Sequence, residues 1–174
     1  MDEPVDNASK YRSLVVTTCE WRAFELADPE AMADRVFARL AKVPGKGYLR
    51  QLFKVVDDVT AETYSDSARG RPFWEGFAGT SRGVIRVSGD PVIDKARAAL
   101  TSLPGRDVEL LRQAYWDTLT FEEMAEVNGT TAAIQQAKLD SALAKFKAKL
   151  PASQADDPVA ALRRIKPGTH WRAQ

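Results

Sequence analysis

The stretch LTFEEMAEVNGTTAAIQQAKL, Leu119 to Leu139, sets two helix-forming runs on either side of Asn128-Gly129-Thr130-Thr131. Thr120 stands three residues before Glu123. That is the spacing of a capping box, in which hydroxyl and carboxylate satisfy the orphan amides of a helix start. The short helix then turns Phe121, Met124, Ala125 and Val127 inward. Gly129 stands where a chain leaving a helix sharply needs positive φ. Thr131 is placed to cap the next helix, which carries Leu139, Ala142, Leu143, Phe146 and Leu150 at spacings of three and four. A short helix, a glycine-containing turn and a longer helix make a helix-turn-helix. An ordinary αα-hairpin inside a bundle shares these local signals. Charge separates the two readings: Lys138, Lys145, Lys147 and Lys149 follow helices rich in Asp and Glu, as expected if a helix meets phosphates.

Outward from this stretch, helices are expected near 91–102, 105–117, 120–127 and 131–149. The segment PASQADDPVAALRRIKPGTHWRAQ follows as a polar tail, 151–174, with room for a short helix from Pro158 to Ile165. Residues 11–69 form another helical segment. In YRSLVVTTCEWRAFEL the face is Leu14, Val15, Thr18, Trp21 and Phe24-Glu25. Asp28-Pro29 opens a second helix as N-cap and first turn, with Met32, Val36, Phe37 and Leu40 on one side. Pro44 to Gly47 ends it. A third helix from Tyr48 turns Leu49, Leu52, Phe53, Val56, Val59 and Thr60 inward. The expected fold class is all-α: an N-terminal bundle at 11–69, a linker at 70–90, and a helix-turn-helix domain at 91–150. The linker is glycine-rich, with Phe73, Trp74 and Phe77 as docking aromatics and Val84 to Val87 as a candidate short strand.

The chain has 174 residues and a formal net charge of +1, so nucleic-acid binding must come from local charge. No apolar run approaches a membrane span, and the acidic, polar start MDEPVDNASKYR is unlike a signal peptide. Cys19 is the single cysteine, which excludes an internal disulfide and suits a reducing cytoplasm. Catalysis has little material. His170 is the single histidine, and pairing Cys19 with it as nucleophile and base is outweighed by cysteine as inert packing. Asp57-Asp58 and Asp156-Asp157 are candidate magnesium ligands or, more simply, solvated charge pairs. No phosphate-binding loop or metal spacing appears, so the chain reads as a non-enzyme without cofactors.

Leu103 to Leu150 resembles region four of bacterial sigma factors of the sigma-70 family, particularly the extracytoplasmic-function group. Leu103-Pro104 followed by Arg106 and Leu110-Leu111 matches the family's start. Leu119-Thr120, then Glu122 to Glu126, then Gly129 matches its helix-turn-helix, and Ala142 and Phe146 sit at its final apolar positions. More weakly, DPEAMADRVFARL is similar to the region-two helix that grips the polymerase clamp, and GYLRQLFKVVDDV to the promoter-opening helix. The family's linker threads the polymerase channel, a path that suits Gly70 to Asp90.

The resemblance implies a cytoplasmic transcription initiation factor that binds core RNA polymerase and directs it to promoter double-stranded DNA, with an anti-sigma factor as a further candidate partner. It places Thr130, Thr131, Ala132, Gln135, Gln136 and Lys138 at DNA, and Asp34, Arg35 and Arg39 at polymerase. Asp34 replaces a glutamine common in the clamp-binding helix. Ile134-Gln135-Gln136-Ala137-Lys138 replaces the family's threonine-valine-lysine-serine-arginine run, so Gln135 occupies a core position that a small helix rotation would give to Ile134. The two glutamines are either adenine readers or solvated helix residues. In the promoter-opening helix Arg50 and Lys54 face Asp57, Asp58, Glu62 and Asp66, two cations against four acids, net −2, a balance that repels phosphates. Either Tyr64, Arg69 and Arg71 open DNA, or region two no longer does. The competing readings are a diverged sigma-like interaction protein and a stand-alone helix-turn-helix regulator.

Overall fold

The computed structural model describes residues 7–23, 26–41, 47–68 and 90–166. Among them every regular element is a helix. The linker aromatics, the candidate strand, Phe24-Glu25, Arg69, Arg71, His170 and Trp171 lie outside the described residues.

The first group holds α1 (Asn7–Arg22), α2 (Pro29–Leu40) and α3 (Tyr48–Ala68). Asp28 caps α2 as expected, accepting from the Glu30 amide, with proline in the first turn. Met32, Ala33, Val36 and Leu40 are buried on α2, facing Leu49, Leu52, Phe53, Val56 and Val59 of α3 and Val15 and Cys19 of α1 in one core. The apolar spacing of four and three residues along α3 puts these side chains on a single face.

The second group holds α4 (Pro91–Thr101), α5 (Gly105–Tyr115), α6 (Phe121–Asn128), α7 (Ala132–Lys149), α8 (Ala152–Ala155) and α9 (Pro158–Arg164). Asp90 caps α4 by accepting from Val92. The long α7 packs on α4, α5, α6 and α9. Its buried stripe is Gln135, Leu139, Ala142 and Phe146.

The stretch from Leu119 to Leu139 folds as a helix-turn-helix. The Thr120 hydroxyl accepts from the Glu123 amide at 3.2 Å, and the Glu123 carboxylate accepts from the Thr120 amide at 2.8 Å. Gly129 adopts φ +65, and the Thr131 hydroxyl accepts from the Ile134 amide.

Two boundaries differ from the sequence reading. Residues 151–166 are part of the second group rather than a solvated tail. Ala161, Leu162 and Ile165 are buried, the Trp116 indole donates to the Leu162 carbonyl at 2.9 Å, and the Lys166 ammonium donates to the Trp116 carbonyl at 2.8 Å. Trp116 needs a partner for its N–H when buried, and α9 supplies it. The two groups also share one continuous core rather than standing apart as separate domains: α3 packs on α6, and the Leu49 amide donates to the Glu126 carboxylate at 3.0 Å.

Gly129 is the conformational pivot of this packing. A methyl group there meets the Arg50 guanidinium at 3.4 Å, an ordinary contact, so the backbone cost dominates. Gly129→Ala is expected to lower unfolding free energy by roughly 1–2 kcal/mol in denaturant titration; an unchanged midpoint would contradict the left-handed turn.

Candidate nucleic-acid interface

The head of α7 is open. Thr131, Ala133, Ile134, Gln136, Ala137 and Lys138 are exposed, while Thr130 and Ala132 are half-buried. Gln135 is the exception, with 1% of its surface exposed. Its amide nitrogen donates to the Thr130 hydroxyl, and its amide oxygen accepts from Asn128 at 3.2 Å. Asn128 in turn donates to Gln113 at 2.8 Å. The expectation that Gln135 meets DNA is therefore corrected: its side chain is buried and its amide bonds inside the turn, out of reach of a groove. The helix also does not rotate to bury Ile134, which is 45% exposed. The amide chain from α5 through α6 satisfies Gln135 in the core position, so no apolar residue is needed there. Gln136, by contrast, points out with Lys138.

The residues expected at polymerase, Asp34, Arg35 and Arg39, lie on the exposed face of α2. Arg35 and Arg39 both pair with Glu62, at 2.9 and 2.6 Å. Asp34 pairs with Arg12 at 2.8 Å. Glu62 is held below its ordinary carboxylate range, chiefly by the Arg39 hydrogen bond. Tyr64, expected to open DNA, is half-buried and donates to the Arg22 carbonyl at 2.7 Å.

Sequence reading missed the junction of the two groups. Arg22, with 3% of its surface exposed, donates to Asp57 of α3 and to Glu109 of α5, the latter at 3.1 Å. Its guanidinium lies 4.7 Å from the Trp21 ring. Asp117, equally enclosed, accepts from the Thr18 hydroxyl at 2.8 Å and the Trp21 indole at 2.7 Å. Trp21 and Trp116 meet edge to face at 5.0 Å, and Arg112 stacks 5.1 Å from each. Thr118 adopts φ 56, a costly conformation for a β-branched residue, in the short turn that aims Asp117 inward.

Burial drives the titration of this cluster. Desolvation pushes Asp57 up to about 6, against the pull of Arg22, although its side chain keeps 42% of its surface exposed. Desolvation also lowers Arg112 to about 10 and raises Asp117. For Arg22 desolvation works against the charge, but Glu109, Asp57 and Asp117 together outweigh it and raise its pKa. Cys19 is pushed up to about 12 by burial, which keeps it a thiol and removes it as a nucleophile.

These pairings revise the charge balance of α3. Asp57 faces Arg22 and Glu62 faces Arg35 and Arg39, so neither is a free repulsive charge. Arg50 and Lys54 are exposed and make no ion pair or hydrogen bond with a described residue. Asp57 as a magnesium ligand gives way to its role opposite Arg22, and Asp157 is the cap of α9, accepting from Ala160 at 2.9 Å. Among the described residues no cluster of three or more His, Cys, Asp or Glu could hold a metal, and no helix is long and apolar enough to cross a membrane.

No family model matches the chain, and neither the curated proteins nor the solved structures give a match.

The raised Asp57 value fixes a sign. The folded chain holds this proton more tightly than the unfolded chain, so the Asp57 contribution to stability is largest below about pH 4 and is lost as pH rises through about 6. Thermal melts of wild type and Asp57→Asn should therefore give a stability difference that moves against the wild type across that window. A pH-independent difference would contradict the shift.

Proposed function

We propose that this chain is a sigma-like transcription initiation factor that binds core RNA polymerase and directs it to promoter DNA. The observation that carries the reading is the open head of α7: a helix with a capped start, delivered by a glycine turn, that leaves Gln136 and Lys138 exposed on its first two turns. A recognition helix in a major groove needs this presentation. The resemblance of Leu103 to Leu150 to sigma region four supplies the class of DNA. Ile134 and Ala137 suit thymine methyl groups, and Gln136 suits an adenine edge. Thr130, Thr131 and Ala132 lie at the turn beside them. Arg35, Arg39 and Asp34 then form the polymerase-facing surface, and an anti-sigma factor is a candidate regulator. The exposed ion pairs there are worth little to stability, so a partner exchanges them at small cost. The setting is the cytoplasm, and the chain makes and breaks no bond.

The interlock of the two groups favours a second reading, a stand-alone helix-turn-helix regulator whose first three helices are built onto its DNA-binding domain. Polymerase dependence separates the two. Under the sigma reading, purified protein with core polymerase initiates specifically on at least one genomic promoter and binds DNA weakly alone. Tight DNA binding by the chain alone, with no specific initiation, favours the regulator.

Two substitutions test the groove contact in either case. Lys138→Ala should weaken binding uniformly across sequences, and Gln136→Ala should change the preferred base at one position, at about 1–3 kcal/mol of discrimination. If a selected duplex pool is bound identically by wild type and both variants, α7 does not read DNA.

A further inference from the structure

Two hollows open on the surface, one within the second helical group and one where the two groups meet. One, of about 470 Å³, lies between α5 and α7. The other, of about 570 Å³, lies between α3, α5 and α6. Glu109, Gln113 and Asn128 line both, so they adjoin as one trough running from α3 to α7.

The trough gathers positive charge. Its walls carry Arg22, Arg50, Lys54, Arg106, Lys138 and Lys145 against three carboxylates, Asp57, Asp107 and Glu109. The whole chain carries only +1. All three carboxylates face internal cations: Asp57 and Glu109 pair with Arg22, and Asp107 pairs with Lys145 at 2.8 Å. The four remaining cations, Arg50, Lys54, Arg106 and Lys138, are exposed and make no ion pair or hydrogen bond with a described residue. They come from both helical groups. The Arg50 guanidinium reaches the helix-turn-helix itself, 3.4 Å from where a Gly129 side chain would begin.

The floor does not offer base-reading groups. Gln113, Asn128 and Gln135 are tied to one another and to Thr130. A trough with free cations on its rim and a closed amide floor suits a ligand that presents negative charge without sequence: the phosphate backbone of duplex DNA.

We infer that the DNA-binding surface is composite: Arg50 and Lys54 of the first helical group hold backbone phosphates alongside α7, while the two groups stay interlocked. This rests on the second reading above, in which the chain binds DNA as one interlocked unit, and adds residues that the helix-turn-helix alone does not contain. The interlocked chain is then itself the DNA-gripping form, with α7 supplying the base edges and α3 part of the phosphate grip.

The test is the salt dependence of binding to a randomised duplex pool, measured on the full chain with and without core polymerase. Arg50→Gln/Lys54→Gln should weaken binding to every sequence and lower the slope of log K against log salt by about two. Lys95→Gln, an exposed cation on α4 away from the trough, should leave that slope unchanged. If wild type binds DNA and the double variant keeps its slope, the composite surface is wrong while the groove reading of α7 stands. If the double variant loses affinity for polymerase and keeps its DNA slope, the trough faces protein, and the inference is overturned. If wild type binds no duplex in either setting, the DNA-binding reading falls and the inference falls with it.

Discussion

A guanidinium removed from water organises this molecule. Taking a charge into a protein interior costs several kcal/mol after relaxation, and the cost is recovered only where counter-charges and hydrogen bonds are in place. Arg22 meets one carboxylate from its own helical group, Asp57, and one from the other, Glu109. Neither group alone satisfies it. The docking of α1 and α3 on α5 and α6 is thus the condition under which Arg22 can be buried. Trp21, Trp116 and Arg112 close the cluster with ring faces and edges. Buried polar atoms without a protein partner remain on Arg22, Glu109, Arg112 and Asp117. Such atoms are destabilising, so the cluster is better understood as fixing how the groups dock than as a large source of stability.

This docking determines what the chain can present outward. It ties Glu109 and Asp57 to Arg22, draws α3 alongside α6, and brings Arg50 to the turn at Gly129. The face left open combines the head of α7 with cations from α3 and α5. Sequence-level arithmetic on α3 suggested repulsion of DNA, because it counted every acid as free. In the fold, Asp57 and Glu62 face arginines from other helices and leave that count, while Asp58 stays exposed beside Arg50 and Lys54 on the same helix. Net charge along a helix is a poor guide to its outward potential when the pairings are long-range.

The parts of the fold legible in the sequence are those whose causes are local. Thr120 and Glu123, Gly129, Thr131 and Asp28 act within a few residues of where they stand, and the apolar spacing of α3 and α7 reports one helix face. The junction was not legible, because Arg22, Glu109 and Asp117 look like any other surface charges until their partners are known. The hydrogen bond from Thr18 to Asp117 spans 99 positions. Gln135 was misread for the same reason. An amide in a core position is stable only if others answer it, and Asn128 and Thr130 do so, with Gln113 of α5 holding Asn128 in place. The burial of α9 was hidden because a short helix in a polar segment carries too few apolar residues to announce a core role. Of the candidate site, the exposure of Gln136 and Lys138 was legible, because both stand off the buried stripe of α7.

Arg22 of α1 and Glu109 of α5 couple the two groups through a shared buried charge, and a double-mutant cycle measures this directly. Unfolding free energies of wild type, Arg22→Met, Glu109→Gln and the double variant give the coupling across the two groups. Non-additivity of at least about 1 kcal/mol is expected, with the second substitution costing far less once the first is present. Effects that add to within about 0.5 kcal/mol would mean that the two helical groups are not interlocked at this site in solution.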